Sequence, residues 1–242
     1  MAKRKTKKKV TSYVSETSHE LDSNNLNKQV LLPINKSKAT QFRLFSILFW
    51  IIAIGFEILA IIELRKESLG TNWIIVFIVL DLLFVIGGSL LWKKANRYNP
   101  ASEKQKIKFF LQNQLGLIVS IIAFLPLVIL VFKNDKLSGK QKGIVGTIAI
   151  IALLIAGITG IDFDPPSKEK YLEETEKVKH LTNGRDYVYW TKSGKSYHLF
   201  EECSYINTSR TDEIFEGTVA QSKTLKNITD LCDRCEINAN KE

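Results

Sequence analysis

The chain has 242 residues, 45% of them apolar, and a formal net charge of +9 at pH 7. Residues 1–43 hold ten Lys/Arg against three Asp/Glu, 44–161 twelve against six, and 162–242 twelve against sixteen. The positive excess therefore lies on a tail and on loops between apolar runs, which argues for a membrane surface rather than nucleic acid. Three cysteines, an odd number confined to the last forty residues, exclude a complete disulfide framework.

Residues 1–42 open with Lys3, Arg4, Lys5, Lys7, Lys8 and Lys9 and continue rich in Ser, Asn and Thr. So little apolar content predicts a disordered basic tail, whose charge sets topology and can attract anionic lipid. No secretory signal is read here, because the first apolar run begins only near Leu44 and is too long for a signal core.

Four apolar runs follow within 43–161, at about 44–64, 73–92, 109–132 and 143–161. Each approaches or exceeds the ~20 helical residues that cross a hydrocarbon core, and Trp73 and Trp92 bracket the second at headgroup level. The loop 93–108 carries six Lys/Arg, against two after the first run and four between the third and fourth. The positive-inside bias then places the tail and the second loop in the cytoplasm, and an even number of spans returns the C-terminus to the same side.

Glu57 and Asp81 stand inside the first two runs. A carboxyl at mid-bilayer costs on the order of 2.5–3.5 kcal/mol on insertion scales and often marks a pathway. The plainer expectation is a protonated acid bonded to a neighbouring helix, with Gln112, Asn113 or Gln114 as partners. Ala149, Ala152, Ala156 and Gly160 form a small-residue face on the fourth run, suited to helix contact within a bundle or in an oligomer.

Asp164-Pro165-Pro166 ends the last run, and Ser167 is placed to cap a charged helix ending at Asn183-Gly184. Residues 162–184 read as a solvated spacer, and 185–242 as a separate small domain. In it, Tyr187–Thr191, a Lys-Ser-Gly-Lys turn and Ser196–Leu199 give a hairpin signal, and a short helix is expected from Thr218.

Cys232 and Cys235 have the spacing that aims two sulfurs from one tight turn at a single ion, and His198 with Cys203 supply a second pair. Zinc takes four such ligands tetrahedrally. With every cysteine used, the reading is a closed structural Zn²⁺ site. Glu201 and Glu202 flank Cys203, but an open coordination position, which catalysis would need, is not expected. A redox role for Cys232/Cys235 lacks the surrounding βαβ pattern. His19 and His180 have no ligand partners in sequence.

Tyr197-His198, Cys203-Ser204-Tyr205 and Cys232-x-x-Cys235, preceded by the Thr-Lys-Ser-Gly-Lys turn, resemble a zinc-ribbon-like module found at the C-terminus of assorted bacterial membrane and secreted proteins, some of them nucleases. The module is distantly similar to the metal-binding domain of Ada-type DNA-repair proteins, whose ligands are all cysteine. The resemblance covers about 187–236, leaves the four apolar runs without a relative, and implies a structural metal in an accessory domain. From Arg185 onward eight Lys/Arg face ten Asp/Glu, so nucleic acid is not the expected partner.

The fold class expected is thus an all-α four-helix transmembrane bundle followed by a small α+β zinc-stabilised ribbon domain. The expected function is a non-enzymatic, multi-pass cell-membrane protein, both termini cytoplasmic, whose zinc module contacts a protein partner or serves in sensing. The alternatives are a transport or channel-like bundle using Glu57 and Asp81, and a tethered thiol-redox or metal-responsive protein.

Overall fold

A computed structural model of the chain describes residues 9–13, 35–66, 70–226, 228 and 230–241. Four long helices come first in the larger unit: α1 (Lys36–Arg65), α2 (Thr71–Tyr98), α3 (Lys106–Lys133) and α4 (Gly139–Gly160). All four are long and apolar enough to cross a membrane, judged by length and composition. Each contains most of its expected apolar run, and the first two extend well beyond it at one end. Polar groups at their ends supply what apolar windows do not reveal: the Asn35 side chain accepts from the Lys38 N–H at 2.9 Å, and Ser138 with Gln141 forms a capping box at α4.

This unit spans residues 35–166. Its α2 packs against all three other helices, and the interior is a continuous layer including Ala53, Ile74, Ile78, Val85, Phe124, Leu127, Val131 and Val145. Outward, Leu44, Ile51, Leu83, Leu90, Leu154 and Ile158 are exposed. A water-soluble bundle keeps its apolar side chains on one stripe facing inward, so this outer surface suits lipid.

The small-residue face of α4 is buried within the bundle: Ala149, Ala152, Ala156 and Gly160 are all interior. A Cβ built on Gly160 would stand 2.6 Å from the Gly116 carbonyl carbon. Close approach to α3 therefore uses this face for contact within the bundle, one of the two roles expected of it.

The second unit comprises Ser167–Glu242 together with the described residues of the N-terminal segment. It contains α5 (Lys168–Leu181), β2 (Tyr187–Thr191), β3 (Ser196–Tyr197), β4 (Glu213–Thr218), α6 (Val219–Lys226), β5 (Asp230–Leu231) and α7 (Asp233–Ala239), and it takes β1 (Lys9–Ser12) from the tail. One sheet has the order β1-β4-β2 and the other pairs β3 with β5. Val188 and Trp190 point into the core from β2, and Trp190 pairs with Phe215 across the ladder.

Two expectations need correction here. First, α5 is no solvated spacer. Tyr171, Thr175 and Val178 are buried along one face, Val178 joins the core of the small unit, and Glu174 accepts from the Tyr197 hydroxyl at 3.1 Å and pairs with Lys223 at 2.9 Å. Ser167 and Asn183-Gly184 do delimit it: the Ser167 hydroxyl accepts from the Lys170 N–H, and both Asn183 and Gly184 take positive φ, where glycine is unstrained.

Second, the tail is not without structure. Lys9–Ser12 pairs in parallel with β4 in register Lys9↔Glu213 to Ser12↔Glu216, and Tyr13 stacks on Trp190 and Phe215. The reason is the open edge of β4, whose unpaired backbone groups accept a strand whatever its side chains. At its other end residues 36–42 belong to α1 rather than to a tail, and the stretch between, His19 included, lies outside the described residues.

Candidate metal centre

His198 is set by the end of the hairpin. Tyr189 and His198 exchange both backbone hydrogen bonds, at 2.8 and 2.7 Å, so the turn of residues 192–195 brings His198 back alongside β2. This bridge and the two residues of β3 are all that exists of the second hairpin strand. The chain then turns at Cys203, whose carbonyl accepts from Ile206 and Asn207 N–H groups at 3.0 and 2.8 Å.

The other pair arrives through a contact that local sequence does not announce. Tyr197 pairs with Leu231 in the parallel β3–β5 bridge, and the Cys232 N–H donates to the Tyr197 carbonyl at 2.9 Å. Cys232 thus begins α7 immediately beside the residue that precedes His198. One tight turn later, the Cys235 N–H donates to the Cys232 carbonyl at 2.9 Å, which brings both sulfurs to the same side.

The result is a cluster of His198, Cys203, Cys232 and Cys235 whose ligand atoms all lie within 4.8 Å of one another, a set that could hold a metal ion. Cys235 Sγ and His198 Nδ1 are 3.7 Å apart. His198, Cys232 and Cys235 are buried, and Cys203 is partly so. Cys232 and Cys235 also belong to the small unit's core with Leu199, Val188 and Trp190, so the cluster is continuous with the packing that holds this unit together.

Its electrostatics follow from burial. Burial lowers the His198 pKa to about 4, which keeps the imidazole neutral and a nitrogen lone pair free. Burial, with further pressure from the neighbouring Cys203 and Cys232, pushes Cys235 up to about 12, against a backbone hydrogen bond from Leu199 that acts the other way. Without a cation the pocket therefore favours the protonated Cys235 thiol. A bound divalent ion reverses this by supplying the charge that stabilises thiolate.

Glu57 and Asp81 belong to a different place. Both are buried inside the helical unit, and among the described residues Glu57 Oε1 and both carboxyl oxygens of Asp81 have no hydrogen-bond partner. The two groups lie near enough for one charge to act on the other. The partners expected for them make their bonds elsewhere: the Gln112 side-chain amide donates to the Asn99 carbonyl, Asn113 Oδ1 accepts from Asn96, and the Gln114 side chain holds the Asp162 backbone. Asn96 is roughly four helical turns from Asp81 along α2, so these amides serve one end of the bundle and not its middle.

Comparison of the chain with protein-family models, curated proteins and solved structures finds no match. The site therefore has to be interpreted from its own chemistry.

Proposed function

We propose that this is a multi-pass membrane protein carrying a structural zinc module that presents a protein-contact surface in the cytoplasm. The observation that carries the reading is the convergence of one neutral imidazole and three thiols on a single point. Zn–S bonds of about 2.3 Å and Zn–N bonds of about 2.0–2.1 Å place tetrahedral ligands roughly 3.5–3.8 Å apart, and the 3.7 Å between Cys235 Sγ and His198 Nδ1 fits that edge. Mixed sulfur and nitrogen donors in such an arrangement favour zinc over hard cations. His198, Cys203, Cys232 and Cys235 would hold it; bound there, the ion supplies cross-linking rather than Lewis acidity. Four protein ligands leave no open position, and three thiolates leave the centre negative.

Several features support the rest of the reading. The four helices have the length and outward apolar surface of membrane spans. Cationic residues are concentrated on the tail and on 93–108, which favours a cytoplasmic location for both. Pairing of β1 with β4 supports a common side for the N-terminal segment and the C-terminal unit, as an even number of spans requires. The contact surface we assign lies next to the metal cluster. Tyr205 is 66% exposed, with the Arg234 guanidinium over its ring at 5.8 Å, and Ile237 is exposed one helical turn further on. Tyrosine and arginine are among the residue types that anchor interfaces.

Purified full-length protein is expected to contain close to one zinc per chain by elemental analysis. Its three thiols should react with a thiol reagent only after a strong chelator has removed the metal. Thiols that titrate freely before chelation, or a pair that cycles as a disulfide, would replace this reading with the redox one.

The unpartnered oxygens of Asp81 and Glu57 favour a second reading, in which the bundle moves protons or cations. Glu57→Gln and Asp81→Asn separate the two. If the carboxyls are structural, both variants insert and fold, and proteoliposomes holding either one show the same proton and cation flux as those holding the parent. A loss of flux of tenfold or more in either variant establishes the second reading.

A further inference from the structure

The end of the helical unit that carries residues 93–108 has an open groove of about 860 Å³ between α1, α2 and the start of α3. Two kinds of residue line it. Trp92, Ile107, Leu111 and Leu115 make an apolar floor, and Arg43, Lys104, Lys106 and Lys108 supply four cations with no carboxylate among the lining residues. The three lysines are exposed, so their ammonium groups are free to converge on a ligand.

Arg43 is held differently. Its guanidinium lies over the Trp92 ring at 5.5 Å and donates through Nη2 to the Asn99 carbonyl at 3.3 Å, while its buried Nε–H has no hydrogen-bond partner among the described residues. The Trp92 ring is fixed in turn by its Nε1–H, which donates to the Gln112 carbonyl at 2.7 Å. A planar cation oriented on a locked indole, with Nη N–H groups beyond the one bonded to Asn99, suits a phosphate.

Apolar floor and cationic rim together define the occupant. We propose that this groove binds an anionic phospholipid, its phosphate held between Arg43 and Lys104, Lys106 and Lys108 and an acyl chain lying along Trp92, Leu111 and Leu115. The charge complementarity is one-sided: a zwitterionic headgroup would bring its own cation against four others. A free phosphate would use the rim and leave the apolar floor uncovered. Basic pockets between helices on the cytoplasmic side bind acidic headgroups in this way, and interfacial Trp and Arg sit at the depth where headgroup and chain meet. The assignment rests on the membrane reading given above.

The test uses detergent-purified full-length protein, incubated with vesicles of phosphatidylglycerol or of phosphatidylcholine and analysed by native mass spectrometry. Retention of phosphatidylglycerol over phosphatidylcholine is expected, with inorganic phosphate failing to compete. The exposed triple variant Lys104→Gln/Lys106→Gln/Lys108→Gln should lose that preference by ~10-fold or more. Lys140→Gln/Lys142→Gln, at the other end of the bundle, should keep it. Equal retention of both lipids by the parent protein, or an undiminished preference in the triple variant, overturns the proposal. So does competition by inorganic phosphate at the concentration of the lipid. Alkaline washing of membranes before extraction separates the two failures: a protein removed by the wash is not a spanning protein, whereas one that stays and shows no lipid preference fails on the groove alone.

Discussion

Replacing Cys232 by serine is expected to unfold the C-terminal unit and leave the four long helices inserted. The size of the effect follows from what the metal does in a unit this small. Domains of this scale bury too little apolar surface to be secure unaided, and structural zinc supplies apparent free energies of about 10–16 kcal/mol in comparable small folds. That equals or exceeds the ~5–15 kcal/mol of a typical whole domain. Cys232 is also where β5 and α7 meet: its N–H is bonded to the Tyr197 carbonyl, and its carbonyl accepts from the Cys235 and Glu236 N–H groups. Loss of the proposed ion would release the β3–β5 bridge and the first turn of α7 together.

Limited proteolysis of membranes checks this. In the parent protein the segment from Arg185 to Lys223 is expected to resist trypsin, and in Cys232→Ser or Cys203→Ser to be cut rapidly while the helical fragment stays in the membrane pellet. Arg234→Ala provides the control, since Arg234 is exposed between the two cysteines and should leave resistance unchanged. A serine variant as resistant as the parent would mean that packing around Trp190 and Tyr197 suffices, and that the cluster has some other use.

Much of the architecture was legible in the sequence because its signals are local. Twenty apolar residues in a row announce a long helix without reference to anything else, and a Cys-x-x-Cys announces a turn with two sulfurs on one side. The misreadings share a cause of another kind, which is pairing over distance. Glu213–Thr218 looks polar, with Glu216 and Gly217 diluting Ile214 and Phe215; it becomes a strand because Trp190 and Val188 stand opposite on β2. Lys9–Ser12 reads as charged tail, yet it meets β4 across some two hundred residues. In α5 the buried residues Tyr171, Thr175 and Val178 do recur at helical spacing, but lysines and glutamates outnumber them and obscure the stripe.

The same distinction holds for the metal centre. The four residues of the cluster could be named from residue type and count, because no cysteine was left over. How they meet could not, because the β3–β5 bridge joins two-residue strands with no periodicity to detect. Within the bundle, residue type suggested amide partners for Glu57 and Asp81. Register along α2 and α3 decides against them, and a single sequence carries no measure of register between helices.

Gly160→Ala is the second change expected to matter most, and it acts on the other unit. The added Cβ would lie 2.6 Å from the Gly116 carbonyl carbon and 2.7 Å from both the Gly116 oxygen and the Leu117 nitrogen. These are backbone atoms of α3, so no side-chain rotation relieves the clash, and α3 and α4 have to part. Overpacking of this kind costs about 1–3 kcal/mol, which in a thermal melt of the detergent-solubilised protein appears as a clear loss of bundle stability. Gly157→Ala offers a comparison one turn away, where the nearest atom would be the Leu117 Cδ1 at 3.7 Å. There the new methyl meets a flexible side chain at ordinary contact distance, and replacing glycine by alanine favours the helix by up to ~1 kcal/mol. The two substitutions, chemically identical, should therefore shift the melt in opposite directions or at least differ by more than 1 kcal/mol. Zinc content per chain should stay the same in both, because the ligands belong to the separate C-terminal unit. Equal melts for the two variants would show that α3 and α4 do not meet through Gly116 and Gly160.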